Sequence, residues 1–145
     1  MRRSSTALIA IIVSGALAVV AQAAVSPNVK LASTSIGKIL VNGKGFTVYA
    51  FSKDRRNTDV CKTKSGCTMT WPPLTTSAGV TVGSGLNARL LGTIKLSTGV
   101  KQVTYSGHPL YRYSFDSSRA ATDYVGARQF GGQWDALNAA GRPVK

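Results

Sequence analysis

Histidine is nearly absent from this chain of 145 residues, and His108 is the only one. Acids number five against eighteen lysines and arginines. The five do not form an obvious close pair, and no Gly-x-Ser-x-Gly turn occurs. General acid–base and serine-nucleophile chemistries therefore lack the residues from which they are usually built. The chain reads as non-catalytic, with no cofactor. Gly83-Ser-Gly-Leu-Asn-Ala88 has a superficial dinucleotide spacing, but the required strand, phosphate-facing helix and βαβ unit are missing around it. His108, placed before Pro109 in a turn, reads as an ordinary exposed imidazole.

Long apolar runs are also scarce. One extends from Ala7 to Val20, interrupted only by Ser14 and Gly15, behind Met1-Arg2-Arg3 and ahead of Ala21-Gln22-Ala23. It is shorter than the ~20 residues a spanning helix needs, and a small-residue site follows it, which is the pattern of a secretory signal peptide. Residues 1–23 are expected to be cleaved after Ala23, with Ala24 as the alternative. Residues 24–145 then form a single domain, periplasmic or extracellular, without a membrane span. No cysteine lies near the cleavage point, so no lipid anchor is expected.

Loss of Arg2 and Arg3 leaves sixteen cations against five acids, a formal +11. Such a field draws polyanions without selecting among them. The expected partners are an anionic envelope polymer or another envelope protein, with no specific nucleic acid. The densest basic cluster is Lys53, Arg55, Arg56, Lys62 and Lys64, with Asp54 and Asp59 interleaved. It is the candidate anion-binding set, weighed against a plain solvated surface with a basic bias.

Cys61 and Cys67 are the only cysteines. In an oxidising compartment they are expected to pair. Closing so short a loop stabilises by on the order of 2 kcal/mol. The alternative is a soft copper site from Cys61, Cys67, Met69 and His108, belonging to a redox or metal accessory protein. That set lacks a second histidine, and a disulfide abolishes it.

What the chain does contain is a repeat. Tyr49-Ala-Phe-Ser-Lys-Asp54 recurs as Tyr111-Arg-Tyr-Ser-Phe-Asp116, and each tyrosine precedes one of the only two tryptophans, Trp71 and Trp134, by 22 or 23 residues. Upstream, Lys30-Leu31 matches Lys95-Leu96 within strands, and Asn42-Gly43 matches Ser106-Gly107, each of these last two marking a turn between apolar runs. The fold class is all-β and mainly antiparallel. Two pseudo-symmetric β-meander repeats, about 29–74 and 94–137, are joined by a Thr/Ser/Gly-rich connection at 75–93. A short helical turn is possible around Leu86 to Leu91, and the tail from Asn138 to Lys145 is expected at the surface.

Within the motif strands, Tyr49 and Phe51 share one face, as do Tyr111, Tyr113 and Phe115. Their default is core packing, weighed against an exposed stripe that stacks sugars or bases. Asp54 and Asp116 fit strand-end turn caps. Alternatively the two carboxyl groups approach each other across a pseudo-twofold axis and hold a cation. Trp71-Pro72-Pro73-Leu74 reads as a buried anchor followed by an exit from the sheet.

The chain is similar to the secreted or lipoprotein repeat family, small bacterial envelope proteins of unassigned function with a tandem Tyr-x-x-x-x-Asp unit. The likeness rests on Tyr49 with Asp54, Cys61 with Cys67, Trp71-Pro72-Pro73-Leu74, Leu91-Gly92-Thr93-Ile94-Lys95, Gln102-Val103-Thr104-Tyr105, Pro109-Leu110-Tyr111 with Asp116, and Gly131-Gly132 with Trp134. It departs from the family in lacking a lipobox cysteine, and in lacking the usual glycine before Asp123. The resemblance implies an exported β domain, with a loose association to alkane use as a further alternative role. Tyr49, Asp54, Trp71, Tyr111, Asp116 and Trp134 are then architectural, and function is expected in the cysteine loop from Lys53 to Met69.

Overall fold

The computed structural model describes residues 28–144. The expected signal peptide and its cleavage point lie outside the described residues. Ten short strands and almost no helix make up the described chain: β1 (Val29–Thr34), β2 (Gly37–Asn42), β3 (Tyr49–Phe51), β4 (Thr75–Thr76), β5 (Leu91–Lys95), β6 (Lys101–Tyr105), β7 (His108–Pro109), β8 (Ala127–Gln129), β9 (Gly132–Leu137) and β10 (Pro143–Val144). A four-residue helix α1 (Cys67–Thr70) follows a 3-10 turn at Cys61–Thr63, and a second 3-10 turn at Ala88–Leu90 leads into β5. All named strand pairs are antiparallel.

The repeat seen in the sequence is a repeat in register. β1 pairs β2 with Leu31 opposite Leu40, and β5 pairs β6 with Thr93 opposite Val103. The second β-meander begins at Leu91, three residues earlier than the Ile94 expected. Ser106 (φ 53) and Gly107 (φ 83) both take left-handed backbone, the two-residue turn that matches strand twist. The Asn42-Gly43 turn is longer. The Asn42 side-chain oxygen accepts from the N–H groups of Lys44 and Phe46, both at 3.0 Å, so one asparagine closes a loop that two residues alone do not span. The tail from Asn138 is more than surface chain, because β10 adds a strand to β9.

Beyond the meanders the repeats exchange partners. Each Tyr segment pairs with the Trp segment of the other repeat. β3 lies against β9, with Tyr49 opposite Ala136 and Phe51 opposite Trp134. In the mirror arrangement Tyr111 bridges Pro73, and Arg112 donates its N–H to the Pro72 carbonyl at 2.9 Å. At the centre Tyr49 and Tyr111 face each other and exchange two N–H···O bonds, each 2.9 Å. That pair sits on an approximate twofold relating the repeats.

Two apolar clusters flank this seam. Val29, Leu40, Val48, Val103, Leu110 and Leu137 form an aliphatic core fed by both meanders. Tyr49, Phe51, Trp71, Tyr111, Tyr113 and Trp134 form an aromatic core with the two cysteines. Each fully buried indole removes on the order of 200 Å² from water, roughly 5 kcal/mol gross, so the aromatic core is a principal source of cohesion between the repeats.

Candidate functional site

The Tyr-x-x-x-x-Asp units cross. Tyr111 Oη lies 2.8 Å from Asp54 Oδ2 in the first repeat, and Tyr49 donates to Asp116 in the second at 3.1 Å. Burial and the neighbouring carboxylates push both phenols above the ordinary tyrosine range. Asp54 and Asp116 are each raised to about 6, chiefly by burial, with hydrogen bonds opposing the shift. The strand-end cap is thus only half the role of Asp54. Its Oδ1 accepts from the Val60 N–H at 2.7 Å, while its other oxygen serves the partner repeat. Asp116 meets its mate's tyrosine, and the exposed Asp123 adds a like charge beside it.

Tyr111 has a second carboxylate. Asp59, only 2% exposed, places Oδ1 at 2.8 Å from the same hydroxyl and accepts from the Lys62 N–H at 3.0 Å. One phenolic proton serves one acceptor, so both 2.8 Å contacts become hydrogen bonds only when one carboxyl carries a proton. Asp54, raised to about 6, takes up such a proton in mild acid and is ionised at pH 7. Asp59 Oδ2 is buried without a partner among the described residues.

The tryptophans stack on the same axis. Trp71 and Trp134 lie 4.1 Å apart and nearly parallel at 3°. Phe51 stacks on the outer face of the pair at Trp134, 4.2 Å away, and Tyr113 lies on Trp71 at 4.5 Å. Tyr49 meets Trp71 edge-on, as Tyr111 meets Trp134, both at 5.1 Å. The rings are core and do not form an exposed platform. Phe115 departs from the shared face expected of it and is 67% exposed, because the extended segment turns at Ser114. Both indole N–H groups point to one residue: Trp71 donates to Gln129 Oε1 at 2.7 Å and Trp134 to the Gln129 carbonyl at 3.3 Å. No sequence signal singled out Gln129.

Cys61 and Cys67 form a disulfide, and both are fully buried. Their thiolates are therefore not free to join Met69 and His108 as a soft ligand set. Among the described residues no group of three His, Cys, Asp or Glu side chains is arranged to hold a metal. His108 is half-buried on β7 rather than exposed in the turn, and burial together with the nearby Arg56 charge lowers its pKa.

The basic cluster is divided by the fold. Arg56 crosses to the other repeat, lies over Gly107 and donates to the Ser106 carbonyl at 3.4 Å. Arg55 stays in a tight turn with Thr58, and Lys62 is exposed in the 3-10 turn. Lys53 lines an open groove of about 700 Å³ together with Ser52, Arg128, Gln129, Gln133 and Asp135. Lys64 reaches the rim of that groove at Gly131. The groove follows the β8–β9 hairpin, whose Phe130 (φ 54) and Gly131 (φ 77) make another left-handed two-residue turn. It approaches β3 closely at Gly132, where a Cβ would lie 2.5 Å from the Phe51 ring.

Among the described residues no helix is long and apolar enough to cross a membrane. Neither a curated protein nor a solved structure matches the chain. A family model described as a secreted repeat of unknown function matches twice, at residues 30–75 and 92–138, which coincide with the two halves related by the Tyr49–Tyr111 axis. The chain belongs to that family of secreted repeats.

Proposed function

We propose that this secreted repeat protein is a non-catalytic binding module, released to the periplasm or exterior without a lipid anchor, that holds an anionic envelope polymer in the groove along the β8–β9 hairpin. The observation that supports this reading is the convergence there of Lys53, Arg128 and Lys64 from three separate stretches of chain. Cations brought together by folding concentrate potential in a way that evenly scattered ones do not. Gln129 and Gln133 add neutral hydrogen-bonding groups of the kind sugar hydroxyls use. The disulfide, the Asp54 contact to Val60 and the Asp59 contact to Lys62 hold the loop that presents Lys64.

The test is elution from heparin and from lipopolysaccharide beads in a salt gradient. K53Q/R128Q is compared with K95Q/K101Q, which removes the same charge from β5 and β6. The groove variant is expected to elute at distinctly lower salt than the control variant. Equal elution of the two variants, or no retention of the parent near physiological ionic strength, overturns the reading.

A further inference from the structure

The cationic groove also holds acceptors. Asp135, 7% exposed on β9, lines it beside Gln133. Its Oδ1 accepts from Gln133 Nε2 at 2.7 Å. A carboxylate only accepts, so this contact turns the amide nitrogen toward Asp135 and leaves Gln133 Oε1 as a second acceptor. No donor among the described residues meets that oxygen or Asp135 Oδ2. Neither is sealed from water, since the sealed orphan oxygens are Asp59 Oδ2 and Gln102 Oε1. Ser52 Oγ accepts from the Gln133 N–H at 2.7 Å, which leaves its own proton to give. Gly132 permits this close approach, because a Cβ there would lie 2.8 Å from Lys53 Cγ and 2.9 Å from Ser52 Oγ.

The scaffold does not require this polar set, as the approximate twofold shows. Ser52 donates its N–H to the Gln133 carbonyl at 2.8 Å, and its mate Ser114 donates to the Thr70 carbonyl at 2.9 Å. Ala50 lies opposite Asp135, and its mate Arg112 meets Pro72. Thr70 thus stands for Gln133, Pro72 for Asp135, Met69 for Gly132 and Phe115 for Lys53. That corner is apolar and projecting, with Phe115 67% and Met69 81% exposed. The two acceptors belong to the groove and not to the repeat.

We infer, resting on the anionic-polymer reading above, that the groove takes an acidic polysaccharide with free hydroxyls, of the uronate type, in preference to an anion that carries acceptors alone. A phosphate or sulfate chain seated on Lys53 and Arg128 displaces water from Asp135 Oδ2 and Gln133 Oε1 and returns no donor, which weakens its binding. A sugar hydroxyl both donates and accepts. A vicinal pair of them can donate to Asp135 and Gln133 and accept from Ser52, while a carboxylate on the same chain meets Lys53 and Arg128. The negative charge of Asp135 among these cations suits one carboxylate per sugar better than densely spaced phosphates. Phe130, half-buried at the hairpin tip, lines the same groove and offers its ring to the C–H face of a sugar.

Polygalacturonate and its O-acetyl ester carry the same carboxylates, and the free polymer alone offers the hydroxyls. Isothermal titration of each, at one salt concentration, compares the parent with D135N and K53Q/R128Q. The parent is expected to bind polygalacturonate about tenfold more tightly than the ester, the effect of one stranded acceptor. D135N keeps an oxygen for the Gln133 amide and replaces the open acceptor by a donor. Its lost charge acts on both polymers alike, so the ratio should fall to about twofold. If D135N shifts the urea midpoint, Q133L supplies the same reading, since it removes the other acceptor. K53Q/R128Q should weaken both polymers and keep the preference. Equal binding of the two polymers by the parent, or a ratio that neither D135N nor Q133L lowers, overturns the inference; the groove reading then stands as long as K53Q/R128Q still weakens both. Parent binding that K53Q/R128Q leaves unchanged, or no parent binding to either polymer, overturns the groove reading and the inference with it.

Discussion

Replacing Tyr111 by Phe removes one oxygen from the centre of a three-residue contact, whereas replacing Tyr49 removes its symmetry mate from a two-residue contact. The costs should differ accordingly. The Tyr111 hydroxyl meets Asp54 and Asp59 at 2.8 Å each, and Asp59 is 2% exposed with one oxygen already unpartnered among the described residues. A hydrogen bond to a charged group contributes about 1.5–3 kcal/mol, and a stranded buried acceptor costs at the upper end of that range. Y111F is therefore expected to lose about 3 kcal/mol. Y49F strands only Asp116, which is partly exposed and rehydrates, so about 1 kcal/mol is expected. Urea denaturation at pH 7 with the disulfide intact measures both, provided the m-value is unchanged. Adding D54N to Y111F should cost less than the two single changes together, because the asparagine leaves no unpaired charge. In Y111F the Val60 and Lys62 amides, which donate to these carboxylates, should exchange with solvent faster. If Y49F costs as much as Y111F, or if neither exceeds about 0.5 kcal/mol, the exchanged Tyr–Asp pairs do not hold the repeats together.

Stability should also depend on pH through the same groups. Asp54 and Asp116, each raised to about 6, keep their protons in the folded protein to higher pH than in the unfolded chain, where carboxyls titrate near 4. The folded state binds more protons across that window, so this contribution is complete below about pH 4 and is lost as pH rises through about 6. Allowing for solvent screening of two partly exposed groups, it amounts to on the order of 1 kcal/mol each. Urea midpoints from pH 4 to pH 7 at fixed ionic strength, compared between the parent and D54N/D116N, separate this from general charge repulsion. A parent-minus-variant difference that stays flat across the range would disprove the assignment. For the disulfide, C61S/C67S is expected to lose about 2 kcal/mol from the freed loop, read as a shift in urea midpoint, and thiol titration of the unreduced parent should find no free thiol. Two titratable thiols would contradict the paired state.

The meanders were legible in the chain because their information is local. Apolar runs bounded by Asn42-Gly43 and Ser106-Gly107 specify hairpins from a few neighbouring residues. Their repetition at offsets of 62 to 65 residues specifies two copies. The exchange was not legible, because strand periodicity shows that Phe51 needs a neighbour without showing whether Trp71 or Trp134 supplies it. An aspartate closing a strand looks the same whether it caps its own turn or crosses to a distant phenol, and Asp54 does both. Gln129 carried no signal for a related reason. It lies in the stretch from Ser117 to Phe130, which stands where the first repeat has the cysteine loop and shares no residue pattern with it, so nothing in the repeat pattern bears on it. The basic cluster was legible as composition only, since Arg56 leaves for Gly107 and Arg128 arrives from 72 residues beyond it.

The exchanged architecture also bears on where the repeats are free to differ. Tyr49, Tyr111, Trp71 and Trp134 each contact the opposite repeat, so a change at one is felt by a side chain more than twenty residues away as well as by its mate. Neither half contains the partners that its own Tyr segment pairs with, and neither closes the aromatic core alone. Residues that face outward from this seam carry no such obligation. That is where the copies diverge: Lys53 against Phe115, Gly132 against Met69, and the disulfide loop against the stretch that supplies Arg128 and Gln129. A symmetric scaffold that must stay symmetric at its axis thus presents two unlike corners, one cationic and concave, the other apolar and projecting. Because the axial residues are occupied with each other, binding is proposed at the cationic groove and not at the Tyr-x-x-x-x-Asp motif itself.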